Sequence, residues 1–196
     1  MADVVLFHHV QGRTDGVLAF ADGLRAGGHT VHTPDLFDGE RPASIDEGIA
    51  LVQRIGDAEL QKRAEQFVSD VGEQLVYAGF SFGGSLAQQL AQTRPNARGA
   101  LLYESCLPLT GDWAVGPWPD GVPVQIHGME RDAFFALEGD LDAARDLVQT
   151  VGADLAQLFV YPGDGHLFTD SSLPSYDARS AALVLERSLD LLGRVG

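Results

Sequence analysis

The chain has 196 residues, 45% of them hydrophobic and 21% charged, and 28 acidic against 13 basic side chains give a net charge of −15. That length points to one domain over residues 1–196, and the mix belongs to a chain that buries a core, not to a disordered one. The charge repels phosphate backbones and anionic lipid heads, which excludes nucleic acid and membrane surfaces as expected partners. The lone cysteine, Cys106, excludes an internal disulfide and a cysteine-built zinc site. No apolar run reaches the roughly eighteen residues of a membrane span, and no basic stretch precedes the first one, so the expected compartment is the cytoplasm.

Residues 4–8 are apolar and β-branched and predict a buried strand. Val17, Phe20, Ala21 and Leu24 follow at helical spacing, with Gly27 and Gly28 as a stop. Residues 30–33 predict a second strand closed by Pro34. Ser44 and Glu47 form a capping-box signature ahead of a helix with Ile45, Ile49 and Val52, which ends at Gly56. A further helix carries Leu60, Ala64, Phe67 and Val71. Residues 75–80 predict the third strand, followed by glycines and a helix on Leu86, Leu90 and Ala91 that Pro95 stops. Strands are expected at 100–103, 122–127 and 158–161, and the Pro- and Gly-rich segment 108–123 reads as a loop within the domain. A helix from about Asp140 buries Leu141, Ala144, Val148 and Val151 before Gly152, and the last helix uses Ala181, Leu185, Leu189 and Leu192. Such alternation predicts an α/β fold: a single, mostly parallel sheet of about six strands, helices on both faces, and sites where strands give way to loops.

Gly79-Phe80-Ser81-Phe82-Gly83 fits the pattern G-x-S-x-G between a strand and a helix. A sharp turn there strains the central residue, requires glycine on either side, and projects Ser81 above a helix N-terminus that favours developing negative charge. A serine nucleophile needs a base, and the base needs an orienting carboxylate. Of the two histidines after Ser81, His127 lies in a strand and reads as structural, whereas His166 lies in the loop after the last strand. Glu130 and Asp132 both follow the 122–127 strand; Asp132 is preferred as the acid, and Asp164 is too close to His166 in the same loop. Backbone N–H groups of Phe82 and of Val10, in the loop after the first strand, are the expected oxyanion donors. His9, Gln11, Phe80 and Phe168 are candidate substrate contacts.

Four stretches together resemble the dienelactone hydrolase family of α/β-hydrolases: Pro34-Asp35-Leu36-Phe37; Gly79 to Gly84; Val124-Gln125-Ile126-His127-Gly128 ahead of Asp132; and Tyr161-Pro162-Gly163-Asp164-Gly165-His166-Leu167-Phe168. The resemblance spans nearly the whole chain. It implies Ser81 as nucleophile, His166 as base, Asp132 as orienter, and Val10 and Phe82 as oxyanion donors, with no cofactor or metal. The family's namesakes carry cysteine at the nucleophile position, a glutamate where this chain has His9, and an arginine near the position of Asp170. Serine keeps the reaction class, as in ordinary esterases, but the cysteine-activation scheme does not transfer. Asp170 in place of arginine, with the net charge, predicts neutral or cationic esters as preferred over carboxylated lactones.

The remaining features read more simply. His8 and His9 are adjacent strand residues pointing to opposite faces, which argues against a shared metal. His29 and His32 are expected to be exposed or capping, and Cys106 to be buried and inert. Trp113 and Trp118 either form an apolar lip over the site or pin their own loop. A first strand beginning almost at Met1, and no sequence for a large lid, predict an open site. The expected activity is that of a serine hydrolase (carboxylesterase- or lactonase-like) cleaving a small ester or lactone through an acyl-enzyme; a catalytically silent ligand-binding relative and an acyltransferase are the alternatives. The expected assembly is a monomer or weak homodimer.

Overall fold

The first apolar run forms strand β1 (Asp3–Phe7), and Thr14 caps helix α1 (Asp15–Ala26) by accepting a hydrogen bond from Val17 N at 3.1 Å. The computed structural model covers residues 1–196. Strand β2 (Thr30–His32) precedes two helices, α2 (Ile45–Ile55) and α3 (Asp57–Val71). The capping box at α2 is displaced by one residue on its return side: Ser44 accepts from Glu47 N at 3.2 Å, but Glu47 reaches back to Ala43 N at 2.9 Å. Then come β3 (Val76–Phe80), α4 (Phe82–Thr93), β4 (Gly99–Tyr103), β5 (Val124–Met129), α5 (Asp140–Val151), β6 (Ala156–Tyr161) and α6 (Ala178–Val195).

The strands make one six-stranded sheet in the order β2-β1-β3-β4-β5-β6, every pair parallel. Alternate residues of each strand feed two cores. Val4, Leu6, Val76, Ala78, Leu101 and Tyr103 pack with α1 and α6. Val5, Phe7, Tyr77, Leu102 and Ile126 pack with the helices of the other face. After β1 the chain turns outward to β2, then crosses to β3 on the other side of β1. The strand order reverses between β1 and β3, and open α/β sheets hold their sites outside the strand carboxyl ends at such a point.

Most sequence expectations hold to within a residue or two. The largest difference is β5, which begins at Val124 and runs through Gly128 to Met129. Pro123 has no N–H to give to a ladder. Gly128 is strand, not turn, paired with Val160 of β6, and it is glycine because the Phe135 ring occupies the space where a Cβ would stand, 2.2 Å away. Of the two tryptophans, Trp118 pins its loop: it is buried in the core and donates its indole N–H to Val122 O at 2.8 Å. It lines a cleft of about 460 Å³ with Thr150, Val151 and Leu155, toward the amino ends of the strands. Trp113 is 82% exposed. No helix is long and apolar enough to cross a membrane.

Candidate active site

Ser81 sits between β3 and α4 at φ +50°, ψ −114°, a left-handed conformation that a non-glycine residue adopts only when its surroundings impose it. The flanking glycines make the turn feasible. A Cβ on Gly79 would stand 2.1 Å from Gly83 O, and one on Gly83 would stand 2.5 Å from the carbonyl oxygens of both Phe7 and His8. Helix α4 therefore enters against the end of β1 with no side chain between them. Ser81 N donates to Tyr103 O at 2.7 Å, which ties the elbow to β4.

His166 comes from the loop after β6. Its Nε2 lies 2.8 Å from Ser81 Oγ and its Nδ1 lies 2.7 Å from Asp132 Oδ2. Asp132 is fully buried, and its second oxygen accepts the N–H groups of Phe134 at 2.9 Å and Phe135 at 3.2 Å. With those lone pairs used, Oδ2 faces the imidazole as an acceptor. This fixes the proton on Nδ1 and leaves the Nε2 lone pair toward Ser81. Glu130 is exposed and pairs with its neighbour Arg131, and Asp164 is exposed, so neither reaches the imidazole. Burial works against a charged His166, but the Asp132 hydrogen bond and the negative charges of Glu104, Asp132 and Asp140 outweigh it and hold the imidazole above its usual range.

Phe82 follows Ser81 in the first turn of α4 and Val10 lies in the β1–α1 loop, and neither backbone N–H donates to an acceptor within the protein. The Val10 position is fixed from behind, since a Cβ on Gly48 of α2 would stand 2.3 Å from Val10 O.

Three of the four expected substrate contacts need correction. His9, Phe80 and Phe168 are each at most 1% exposed. Strand alternation turns Phe80 into the core beside Phe20 and Tyr103, and Phe168 packs on Tyr161. Gln11 is 8% exposed and spends its amide on Pro42 O at 3.3 Å. Asp170 is no surface charge either. It is 2% exposed and accepts from His9 Nε2 at 2.8 Å, Ser172 N at 2.8 Å, Ser172 Oγ at 2.5 Å and the Thr14 hydroxyl. Burial opposes its ionisation, but these donors prevail and hold it at about 2. The Asp170 latch thus joins the loop that carries His166 to the loop that carries Val10. A Cβ on Gly16 would stand 1.7 Å from Asp170 Oδ1, so the first turn of α1 also depends on it.

The other histidines are occupied. His8 accepts from Leu36 N at 3.0 Å and donates to His9 O at 2.8 Å; burial lowers its pKa to about 4. His127 pairs with Tyr161 Oη at 2.9 Å and is lowered by burial to about 3. His29 accepts from Ala2 N, and His32 pairs with Asp3. Burial pushes the Cys106 thiol up, as an inert buried thiol requires.

Two residues at the site escape the sequence reading. Phe134 lays its ring 4.6 Å from the His166 imidazole; its position two residues beyond Asp132 was the available signal. Glu104 follows β4 directly and is 2% exposed, an acid at the end of an apolar strand.

The family profile for dienelactone hydrolases matches residues 1–196. The chain belongs to the dienelactone hydrolase family. No curated protein matches the sequence. Among solved structures, a Klebsiella pneumoniae chain classed as a dienelactone hydrolase is 19% identical, with a TM-score of 0.77 over 99% of this chain and 87% of that one. A dienelactone hydrolase-like promiscuous phosphotriesterase from metagenomic libraries is 19% identical, with a TM-score of 0.78 over 100% and 87%. A thermophilic esterase from the Planctomycetes species Thermogutta terrifontis is 17% identical, with a TM-score of 0.65 over 100% and 84%. These likenesses establish the fold: residues 1–196 of this dienelactone hydrolase family member form an α/β-hydrolase fold on a single six-stranded sheet.

Proposed function

We propose that this hydrolase cleaves small carboxylic esters or lactones through an acyl-enzyme on Ser81. The observation that carries the reading is the unbroken chain from Ser81 Oγ to His166 Nε2 at 2.8 Å and from His166 Nδ1 to Asp132 Oδ2 at 2.7 Å. In the first step Ser81 Oγ attacks the ester carbonyl while its proton passes to His166 Nε2. The carbonyl oxygen becomes an oxyanion held by the N–H groups of Val10 and Phe82. Collapse breaks the bond to the leaving oxygen, which takes the proton from His166 and departs as the alcohol. Water then gives a proton to His166 and attacks the acyl carbonyl, and the second collapse returns the proton to Ser81 and frees the carboxylic acid. Asp132 keeps the imidazole in the tautomer this sequence needs and balances the imidazolium.

Neutral or cationic esters are the preferred class. Asp170 is not the reason, since its charge is internally satisfied. The support is the acidic surround of the imidazole, made by Glu104, Asp132 and Asp140, within a chain of net charge −15. The half-buried Phe134 beside His166 offers an apolar wall for the acyl or alcohol group.

An alkyl fluorophosphonate probe should label the wild-type protein at Ser81, and short nitrophenyl esters should be turned over. Labelling that persists in Ser81→Ala, or its absence in the wild type, would refute the proposal.

A further inference from the structure

Glu104 is a buried carboxylate for which the mechanism above has no use. It follows β4 at φ +56°, one of three non-glycine residues in left-handed geometry around the site, with Ser81 and Leu167. Its backbone N–H donates to His127 O at 2.6 Å, which locks it between β4 and β5. One carboxyl oxygen takes a long hydrogen bond from Thr169 Oγ1 at 3.4 Å, and the other is buried with no partner. Both the strain and the unpaired oxygen oppose folding, and an apolar side chain of the same length would avoid the second cost. Thr169 is only three residues beyond His166, so the carboxyl stands against the loop that holds the imidazole.

We propose that Glu104 is a positioning residue for the base, a second carboxylate that acts through the His166 imidazole and stabilises its charge when Ser81 gives up its proton. This inference rests on the proposed serine mechanism. The groups that face the pair support it. From the His166 loop come the imidazole itself and the Thr169 hydroxyl, from the loop after β5 comes Asp132, and from the start of α5 comes Asp140, which also acts on His166. No cationic side chain is among them. Burial, with Asp132 adding to it, pushes the Glu104 carboxyl up to about 7, despite the pull of His166 and Thr169, so its charge develops in the pH range where the imidazole must lose its own. Asp132 fixes orientation through a direct hydrogen bond; Glu104 contributes charge.

The sign of the effect is definite. An ionised Glu104 raises the His166 pKa, so removing it lets the imidazole reach its basic form at lower pH. Glu104→Gln keeps shape and removes charge. The midpoint of the acidic limb of kcat/KM should fall by about 0.5–1 pH unit. The plateau kcat should drop by about three- to tenfold, the same energy lost from the imidazolium in the transition state. NMR titration of the His166 ring, assigned with His166→Gln, should report the same downward shift without requiring turnover. A shift in the ring titration without ester hydrolysis would leave the pairing standing and refute only the serine mechanism. Glu104→Met should lower the ring midpoint likewise and raise thermal stability, and it keeps the test open should the amide variant fail to fold. A folded variant of either kind whose His166 midpoint equals or exceeds that of the wild type would overturn the inference.

Discussion

The division of labour around His166 depends on which atom of which acid faces the ring. Asp132 Oδ1 is committed to two backbone N–H groups, so Asp132→Asn would keep its amide oxygen on them and turn its amide nitrogen, a donor, toward the ring, which would no longer select the productive tautomer. Its kcat should fall by about 10⁴ with the thermal midpoint little changed, a loss measured on any short ester. Glu130→Gln, on the exposed side of the same turn, should leave kcat unaltered. Because the His166 pKa is raised, and the neutral ring is the base in the proposed mechanism, kcat/KM should climb with pH through a midpoint above the ordinary value of about 6.5. A midpoint at or below that value would contradict the charge arrangement. Ser81, His166 and Asp132 were legible in the sequence because each follows a strand end, in an order the α/β sheet makes spatially convergent. Asp170 was misjudged for the opposite reason: its partners His9 and Thr14 lie more than 150 residues away in the chain, and nothing in its neighbours reveals them. Glu104 has no local pattern at all.

At the level of elements, the strands were readable because a parallel strand covered on both faces is a nearly continuous apolar run, and the helices because their buried residues recur at 3.6. Boundaries were less readable. The end of β5 depends on Gly128 making room for Phe135, a tertiary contact that looks like a turn signal in the sequence. The close approach of α4 to β1 yields a stability prediction. Gly83→Ala places a methyl 2.5 Å from the carbonyl oxygens of Phe7 and His8, backbone atoms that cannot rotate away. The variant should lose about 1–3 kcal/mol of stability, measured by denaturant unfolding, and Ser81 labelling should fall because the whole elbow moves. Gly193→Ala in α6, where a Cβ meets nothing within 4 Å, is the matching control.

For the molecule as a whole, the excess of negative charge sets a direction for substrate encounter. Matched neutral, anionic and cationic esters should rank in kcat/KM as cationic or neutral above anionic, and added salt should narrow the gap by screening. An anionic lactone that outperforms its neutral analogue would reverse this reading. The latch built on Asp170 has a global effect as well. Its folded-state pKa of about 2 lies below the ordinary carboxylate value, so it contributes stability at neutral pH that is lost as pH falls from about 4 toward 2, on the order of 2 kcal/mol. Asp170→Asn should abolish that part of the acid dependence. The same latch makes the loops bearing His166 and Val10 one cooperative unit. The amides of Gln11 and Ser172 should therefore exchange with solvent at a common opening rate although 160 residues separate them in the chain. For loop grafting, the unit to transplant is both loops at once, with Gly16 beneath them: the His166 loop transferred alone would arrive without the connection that ties it to the Val10 loop.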